Sequence, residues 1–378
     1  MDFTLTEEQK MLQTTVRELA SNKFAPVADE LDRKQAFARD NFKIMAEAGL
    51  LGLTIPPEYG GGGADAVSLA IATEEIARAC ASTADILDGH LCLCTELIYN
   101  YGNEEQRKKF VVPLARGEKI GAMAITEPEA GSDIAAIKTT AVKEGDVYIL
   151  NGNKVFITNG DVADTAVVFA NIPALGKRGM TAFIVEKGTP GFSQGKKYDK
   201  LGMRAATNAE LAFEDCRIPA SNRIGEEGQG MKMCLATLDR GRIGIAAQAL
   251  GITQAVLEKS VEYSKQRVQF GVPINHNQAI QWMLADMATQ LEAARLLTYK
   301  AAFLADRGEP FSACAAMAKL TATELCMQAA TQGIQILGGY GYMMDSPMQR
   351  YFRDAKLTTI YEGTSEVQRM VIARSLLQ

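Results

Sequence analysis

Histidine is nearly absent from these 378 residues: His90 and His276 are the only two, and Trp282 is the sole tryptophan. So few imidazoles exclude a histidine-rich metal site. No Gly-x-Ser-x-Gly elbow stands beside either histidine, which argues against a Ser-His-Asp hydrolase. No Gly-x-Gly-x-x-Gly opens a strand–helix unit, so a dinucleotide-binding βαβ fold is not indicated. The seven cysteines (Cys80, Cys92, Cys94, Cys216, Cys234, Cys314, Cys326) are odd in number and contain no CxxC pair. They read as free thiols packed as small hydrophobes, and Cys92-x-Cys94 matches no common zinc spacing. Apolar runs are broken by polar residues well before a bilayer could be spanned. A net charge of −5 gives no electrostatic reason to expect nucleic acid. The N-terminus, Met1 to Glu8, is acidic where a secretory signal is basic and then apolar. The expected location is the cytoplasm, or the mitochondrial matrix after removal of a transit peptide.

What is present is an α, then β, then α texture. Thr6-x-x-Gln9 is a capping box, and Leu12, Val16 and Leu19 follow at helical spacing. Further helices are expected over Arg39–Ala48 and Leu69–Tyr101, with Gly60 to Gly63 as a turn between them. Around residue 121 the pattern changes. Val147–Leu150 and Lys154–Thr158 flank Asn151-Gly152-Asn153, which predicts a hairpin. Strand-like runs at Thr165–Ala170, Thr181–Val185 and Ala209–Phe213 point to a sandwich or barrel. From Met231 helices return: Ile243–Lys265, Ala279–Arg307 and Phe311–Leu337, with a fourth at Ser365–Leu377, predict a four-helix bundle. The expected class is α+β, with an N-terminal all-α domain (1–120), a middle β-barrel or sandwich (121–230) and a C-terminal four-helix bundle (231–378).

Four motifs then stand in order along the chain. They are Ala124-Ile125-Thr126-Glu127-Pro128-Glu129-Ala130-Gly131-Ser132-Asp133, Gln266-Arg267-Val268-Gln269-Phe270-Gly271, Gln335-Ile336-Leu337-Gly338-Gly339-Tyr340-Gly341-Tyr342, and Tyr361-Glu362-Gly363-Thr364-Ser365-Glu366. With Asp345, Arg350 and Asp354 at matching spacing, the chain resembles the acyl-CoA dehydrogenase family from its first helix to its end. On spacing alone, an Arg at a helix end is a solvated charge and Gly-Gly after a helix is a C-cap. The joint pattern reverses that reading.

The resemblance implies FAD and an acyl-CoA substrate. It assigns Met123, Ile125, Thr126, Phe156, Ile157 and Thr158 to the flavin, with Thr364 and Glu366. Arg267 would pair with the pyrophosphate through its planar fork, with Phe270 and Gln278 shaping that site. Gln335, Gly338 and Gly339 would bring backbone to the FAD of a neighbouring subunit, where a Cβ would clash. Ser132, Asp239, Arg242, Tyr361 and Gly363 would contact the acyl-CoA. Glu362 would be the base at Cα, because a carboxylate in a dry pocket is a stronger base than a solvated one. In some members the base lies on the helix containing Leu238 to Arg242; the matching position here is Gly241, which has no side chain. The family also implies a homotetramer and an electron-transferring flavoprotein as acceptor. The Gly241/Glu362 arrangement looks most like the short-chain branch.

One departure is informative. The helix that walls the acyl pocket in the family is apolar or neutral there, yet Asp85 and Asp88 lie three apart on one face of it. They read either as surface charges or as a second catalytic group in the pocket. In the latter case Asp88 could take a proton beyond Cβ of a cyclic, already unsaturated acyl-CoA, a 1,4-elimination. The alternatives from other classes are a non-catalytic acyl-CoA-binding protein of the same fold and an acyl-CoA oxidase.

Overall fold

The computed structural model describes residues 4–377, so the acidic Met1–Phe3 lie outside the described residues. The N-terminal region is helical: α1 (Glu7–Leu19), α2 (Ala28–Lys34), α3 (Arg39–Glu47), α4 (Ala66–Ala79), α5 (Ala81–Leu87), α6 (Glu96–Tyr101), and the short α7 (Glu104–Gln106) and α8 (Val112–Ala115). The capping box forms: Gln9 N donates to Thr6 Oγ1 at 3.2 Å and Thr6 N to Gln9 Oε1 at 3.1 Å.

The single helix expected over Leu69–Tyr101 is interrupted twice. Cys80 is extended (φ −153°, ψ 101°) and separates α4 from α5. Asp88–Thr95 then winds as a wider π-helix, in which Thr95 Oγ1 reaches back to the His90 carbonyl at 2.7 Å. Such turns cluster at functional sites, and Asp88 is the first residue of this one. Nothing in a 3.6-residue pattern reveals it.

The middle region is an eight-stranded sheet: β1 (Gly121–Ala124), β2 (Thr140–Glu144), β3 (Val147–Thr158), β4 (Thr165–Asn171), β5 (Met180–Glu186), β6 (Phe192–Lys197), β7 (Asn208–Pro219) and β8 (Arg223–Ile224). Its order is β6-β7-β3-β2-β4-β5-β8, and β1 joins β4 in parallel. The hairpin expected at Asn151–Asn153 does not exist. Strand β3 runs through it, and Gly152 (φ +146°) marks a register shift against β7. A Cβ there would lie 2.5 Å from Thr139 Oγ1, so the Asn-Gly signal reports a bulge rather than a turn. The real turn is Gly145-Asp146, which pairs Glu144 with Val147.

The C-terminal region begins with α9 (Gly230–Gln266), 37 residues long and starting well before Ile243. A small ribbon, β9 (Val268–Gln269) and β10 (Val272–Pro273), leads to α10 (Gln278–Asp306), α11 (Ser312–Leu337), α12 (Pro347–Thr358) and α13 (Ser365–Leu377). The expected four helices are present, and α12 is an addition to them. Helix α4 also enters this bundle through Val67, Ala70 and Ile71. Glu74 of α4 receives Arg295 of α10 at 2.7 Å, fixing the N-terminal region against the bundle. Among the described residues no helix is long and apolar enough to cross a membrane.

Candidate active site

Helix α9 is the floor of the site, and two glycines on one face of it decide what can stand there. A Cβ at Gly241 would fall 2.1 Å from Glu362 Oε2, and a Cβ at Gly244 would fall 2.2 Å from Asp88 Oδ1. Residues three apart share a helix face, so the two carboxyl groups stand side by side over a strip from which side chains are absent.

Glu362 is delivered by the loop between α12 and α13. Its backbone is left-handed (φ +51°), and Gly363 follows at φ +96°. For a non-glycine residue that conformation is strained and has to be held by its surroundings. The Gly363 carbonyl accepts from Lys319 Nζ at 2.7 Å and from Gln368 Nε2 at 2.9 Å. Tyr361 OH donates to Gln248 Oε1, and Gln248 Nε2 donates to the Ala81 carbonyl at 2.8 Å. Thus the loop, α9 and the start of α5 are tied together. Among the described residues the Glu362 N–H has no protein acceptor, and Oε2 is sealed from solvent without a partner.

Asp85 and Asp88 are both buried, at 2% and 3% exposure, which sets aside the surface-charge reading. Asp88 Oδ1 and Glu362 Oε2 are both sealed from solvent without a hydrogen-bond partner among the described residues, and the two carboxyl groups stand close enough to bias each other's titration. Burial and then the Glu362 charge push Asp88 well above the usual carboxylate range. Burial also raises Glu362, opposed by Asp88 as a donor and the charges of Lys319 and Arg242. The Glu362 charge favours a protonated Asp88, and Lys319 and Arg242 favour an ionised Glu362. Asp85 is pushed up to about 7 by burial, with Lys200 opposing and Glu362 and Asp354 reinforcing the shift. Its Oδ2 also lacks a hydrogen-bond partner.

The strands assigned to the flavin converge on this pair. Val155 N donates to the Thr126 carbonyl at 2.9 Å, which sets Thr126 beside Phe156, Ile157 and Thr158. Met123 and Ile125 lie on β1 and just past it, each 8% exposed. Beneath them Lys154, fully buried, donates to Glu127 Oε1 at 2.7 Å and to the Ile125 carbonyl at 3.0 Å. Glu127 in turn receives Thr139 N at 3.0 Å, so one buried ion pair holds the loop that carries Thr126. A Cβ at Gly89 would lie 3.0 Å from Thr158 Cγ2. Gly89, next to Asp88, therefore packs against the end of β3 at Thr158.

The remaining residues fall elsewhere. Arg267, Gly338 and Gly339 line an open cleft of about 570 Å³ with Tyr263 and Tyr340, and no middle-region residue contributes to it. Arg267 has no carboxylate partner among the described residues and lies over the Tyr340 ring at 5.6 Å. A free guanidinium beside exposed backbone fits a pyrophosphate. Within this chain nothing lies within 4 Å of a Cβ at Gly338 or Gly339, so the expected clash is not with this chain. Gln278, Gln335 and Phe270 are exposed, as are Ser132 and Glu366. Thr364 caps α13, its Oγ1 accepting from Val367 N at 3.3 Å. Arg242 is buried and pairs with Asp239, which also accepts from Ser312 Oγ at 2.9 Å. The sequence reading passed over Lys319, Gln248 and His90. Lys319 had a visible signal: a single charge inside the apolar run Ala315 to Ala322.

Two adjacent carboxyl groups behind the strand that carries Ile157 and Thr158 suit the removal of a proton from carbon. Comparison with known proteins gives the family. The descriptions "Acyl-CoA dehydrogenase, N-terminal domain", "middle domain" and "C-terminal domain" match residues 6–118, 122–216 and 228–377. The short-chain specific acyl-CoA dehydrogenase of Clostridium acetobutylicum is 49% identical, with 100% of both chains covered. Butyryl-CoA dehydrogenase from Megasphaera elsdenii has a similar structure, with TM-score 0.98 and 46% identity over 100% of each chain. A chain described with the electron transferring flavoprotein of Acidaminococcus fermentans gives TM-score 0.98 at 50% identity, again over 100% of each. This chain belongs to the acyl-CoA dehydrogenase family and is an FAD-dependent acyl-CoA dehydrogenase.

Proposed function

We propose that the acyl group is small and cyclic and already carries a Cα=Cβ bond, and that the Asp88–Glu362 pair supports its 1,4-dehydrogenation. The carrying observation is the buried, unpartnered Asp88 Oδ1 over Gly244, beside Glu362 Oε2 over Gly241. An α,β-elimination needs one base, and a second buried carboxyl costs stability unless it is used or fully paired. A pair holding one proton and one charge always offers one base.

On a saturated acyl chain the acidic proton is at Cα, and Glu362 takes it. On a cyclic enoyl thioester it is at Cγ, because the carbonyl stabilises charge through the double bond. Asp88 takes that proton after passing its own to Glu362 beside it. The Cγ–H electrons form Cβ=Cγ, the former double-bond pair moves to form a bond between Cα and the ring's other β-carbon, and hydride leaves that carbon. Bound FAD supplies the acceptor for the hydride at N5. The unpaired Glu362 N–H is placed to donate to the thioester oxygen as charge develops there. The Tyr361–Gln248 contact closes the acyl end and excludes water.

A second reading is α,β-dehydrogenation of a short linear or branched acyl-CoA by Glu362 alone, with Asp88 as a proton-holding partner. The likeness to short-chain specific relatives favours it. A panel of butyryl-, isobutyryl-, cyclohexane- and cyclohexene-carboxyl-CoA with an artificial acceptor separates the two. Turnover fastest on the cyclohexene thioester supports the first reading. A clear preference for butyryl-CoA overturns it.

We also infer that FAD is completed between copies of the chain. The Arg267 cleft stands apart from the middle-region flavin residues, and Phe270, Trp282, Tyr340, Tyr342, Met343 and Met344 are exposed around it. Such apolar surface marks an interaction site, and a homotetramer built as a dimer of dimers would cover it. An electron-transferring flavoprotein is the expected acceptor, on the likeness noted above. A monomer in sedimentation, or rapid peroxide formation in air, would remove these assignments.

A further inference from the structure

Lys319 lies at the back of the site and is completely buried, midway along α11. A buried lysine is rare unless something holds its charge. Among the described residues its ammonium makes one hydrogen bond, Nζ to the Gly363 carbonyl at 2.7 Å. That carbonyl belongs to the left-handed turn from which the Glu362 side chain projects. Gln368 holds the same carbonyl without a charge, so holding the turn does not by itself explain an ammonium there.

We propose that Lys319 is a positioning residue that keeps Glu362 as the ionised member of the Asp88–Glu362 pair, and so decides which of the two carboxyl groups acts as base at Cα. This rests on Glu362 being that base. Around Glu362 stand Asp85 from α5, Asp88 from the π-helix that follows it, Arg242 from α9, Lys319 from α11, and Tyr361 beside it; the charge of Glu366 of α13 also acts on Lys319. Burial favours the neutral form of Glu362, while Asp88 as a donor and the charges of Lys319 and Arg242 favour the ionised form. Arg242 is already matched to Asp239. Among the described residues Lys319 has no carboxylate within ion-pair distance, and the Glu362 charge is the largest that acts on it. Burial lowers Lys319 to about 8, and the Glu362 charge resists that fall.

The test uses the FAD-loaded enzyme with 3-thiabutyryl-CoA. Sulfur at the β position prevents hydride loss, so only the α C–H breaks and only the Glu362 O–H forms. The resulting enolate beside oxidised flavin gives a long-wavelength absorbance band. Glu362→Gln should abolish the band, which tests the base separately. Lys319→Met should retain FAD and bind the analogue, but the pH midpoint of band formation should rise by about one unit, the scale of a removed neighbouring charge. Lys319→Arg should restore it to within about 0.3 unit, because charge is what matters. If Lys319→Met fails to hold FAD, Lys319→Gln keeps a donor for Gly363 and is read in its place. With the Glu362→Gln result as expected, a parental midpoint in the charge-removed variant overturns the proposal.

Discussion

The carboxyl groups of Asp88 and Glu362 stand side by side on one face of α9, one from the first residue of a π-helix and the other from a left-handed loop residue 274 positions later. Each stands over a glycine of the same helix. Short-range sequence rules treat both as ordinary acids, and only the fold makes them one titrating unit.

The glycine floor gives the first prediction. Gly241→Ala would press on Glu362 and Gly244→Ala on Asp88, each overpacking the site at a cost of about 1–3 kcal/mol. Gly241→Ala should depress turnover on every acyl-CoA. Gly244→Ala should depress it on cyclic enoyl-CoA and leave butyryl-CoA within several-fold of the parent. Equal losses from both variants on both substrates would deny the two carboxyl groups separate roles.

Glu362→Gln should keep fold, FAD and acyl-CoA affinity, since the amide is nearly isosteric. Turnover on butyryl-CoA should fall by about three decades or more, the upper part of the range for a positioned base. A variant keeping a third of the parental rate would move the Cα base elsewhere.

Arg267→Ala should lower flavin content, because nothing else in its cleft supplies a bidentate cation. The ratio of flavin to protein absorbance after gel filtration measures it. Full flavin retention would detach Arg267 from the cofactor.

His90 is the group whose pH effect is clearest. Its Nδ1 accepts from Gly121 N at 3.0 Å, so Nε2 carries the proton and donates to the Leu114 carbonyl at 3.0 Å. Burial pushes it from 6.5 down to about 4. The unfolded chain therefore binds a proton here before the folded one does, and stability is lost as pH falls from 6.5 toward 4. Asp85, raised to about 7, acts in the opposite sense: its contribution is present at low pH and lost as pH rises toward 7. Comparing Tm of His90→Gln with the parent isolates the histidine. The variant's deficit should shrink as the solution is acidified, and a constant deficit would contradict the neutral buried assignment.

Much of this was legible in the sequence, for reasons that differ by element. The α-β-α order followed from periodicity, whereas Glu362, Thr126 and Arg267 were singled out by resemblance to the acyl-CoA dehydrogenase family, since spacing alone makes each an ordinary surface residue. Asp88 was visible as a charge on a helix that should be apolar. Its partner was not, because no local pattern encodes contact between residues 88 and 362. Gly152 misled for a physical reason: its positive φ suits a bulge as well as a turn, and Thr139 packed against its Cα excludes any Cβ. The π-helix at Asp88 left no trace either, since it changes winding without changing which residues are apolar.

The most direct test of the two-carboxyl account is flavin reduction in Asp88→Asn, measured in single turnover with butyryl-CoA and with cyclohexene-carboxyl-CoA. The asparagine amide can still donate to Glu362, so the α,β reaction should stay within several-fold of the parent. Reduction by the cyclic enoyl thioester should fall by about three decades, as for loss of a base. Equal rates to the parent on both substrates, or equal losses on both, would contradict the account.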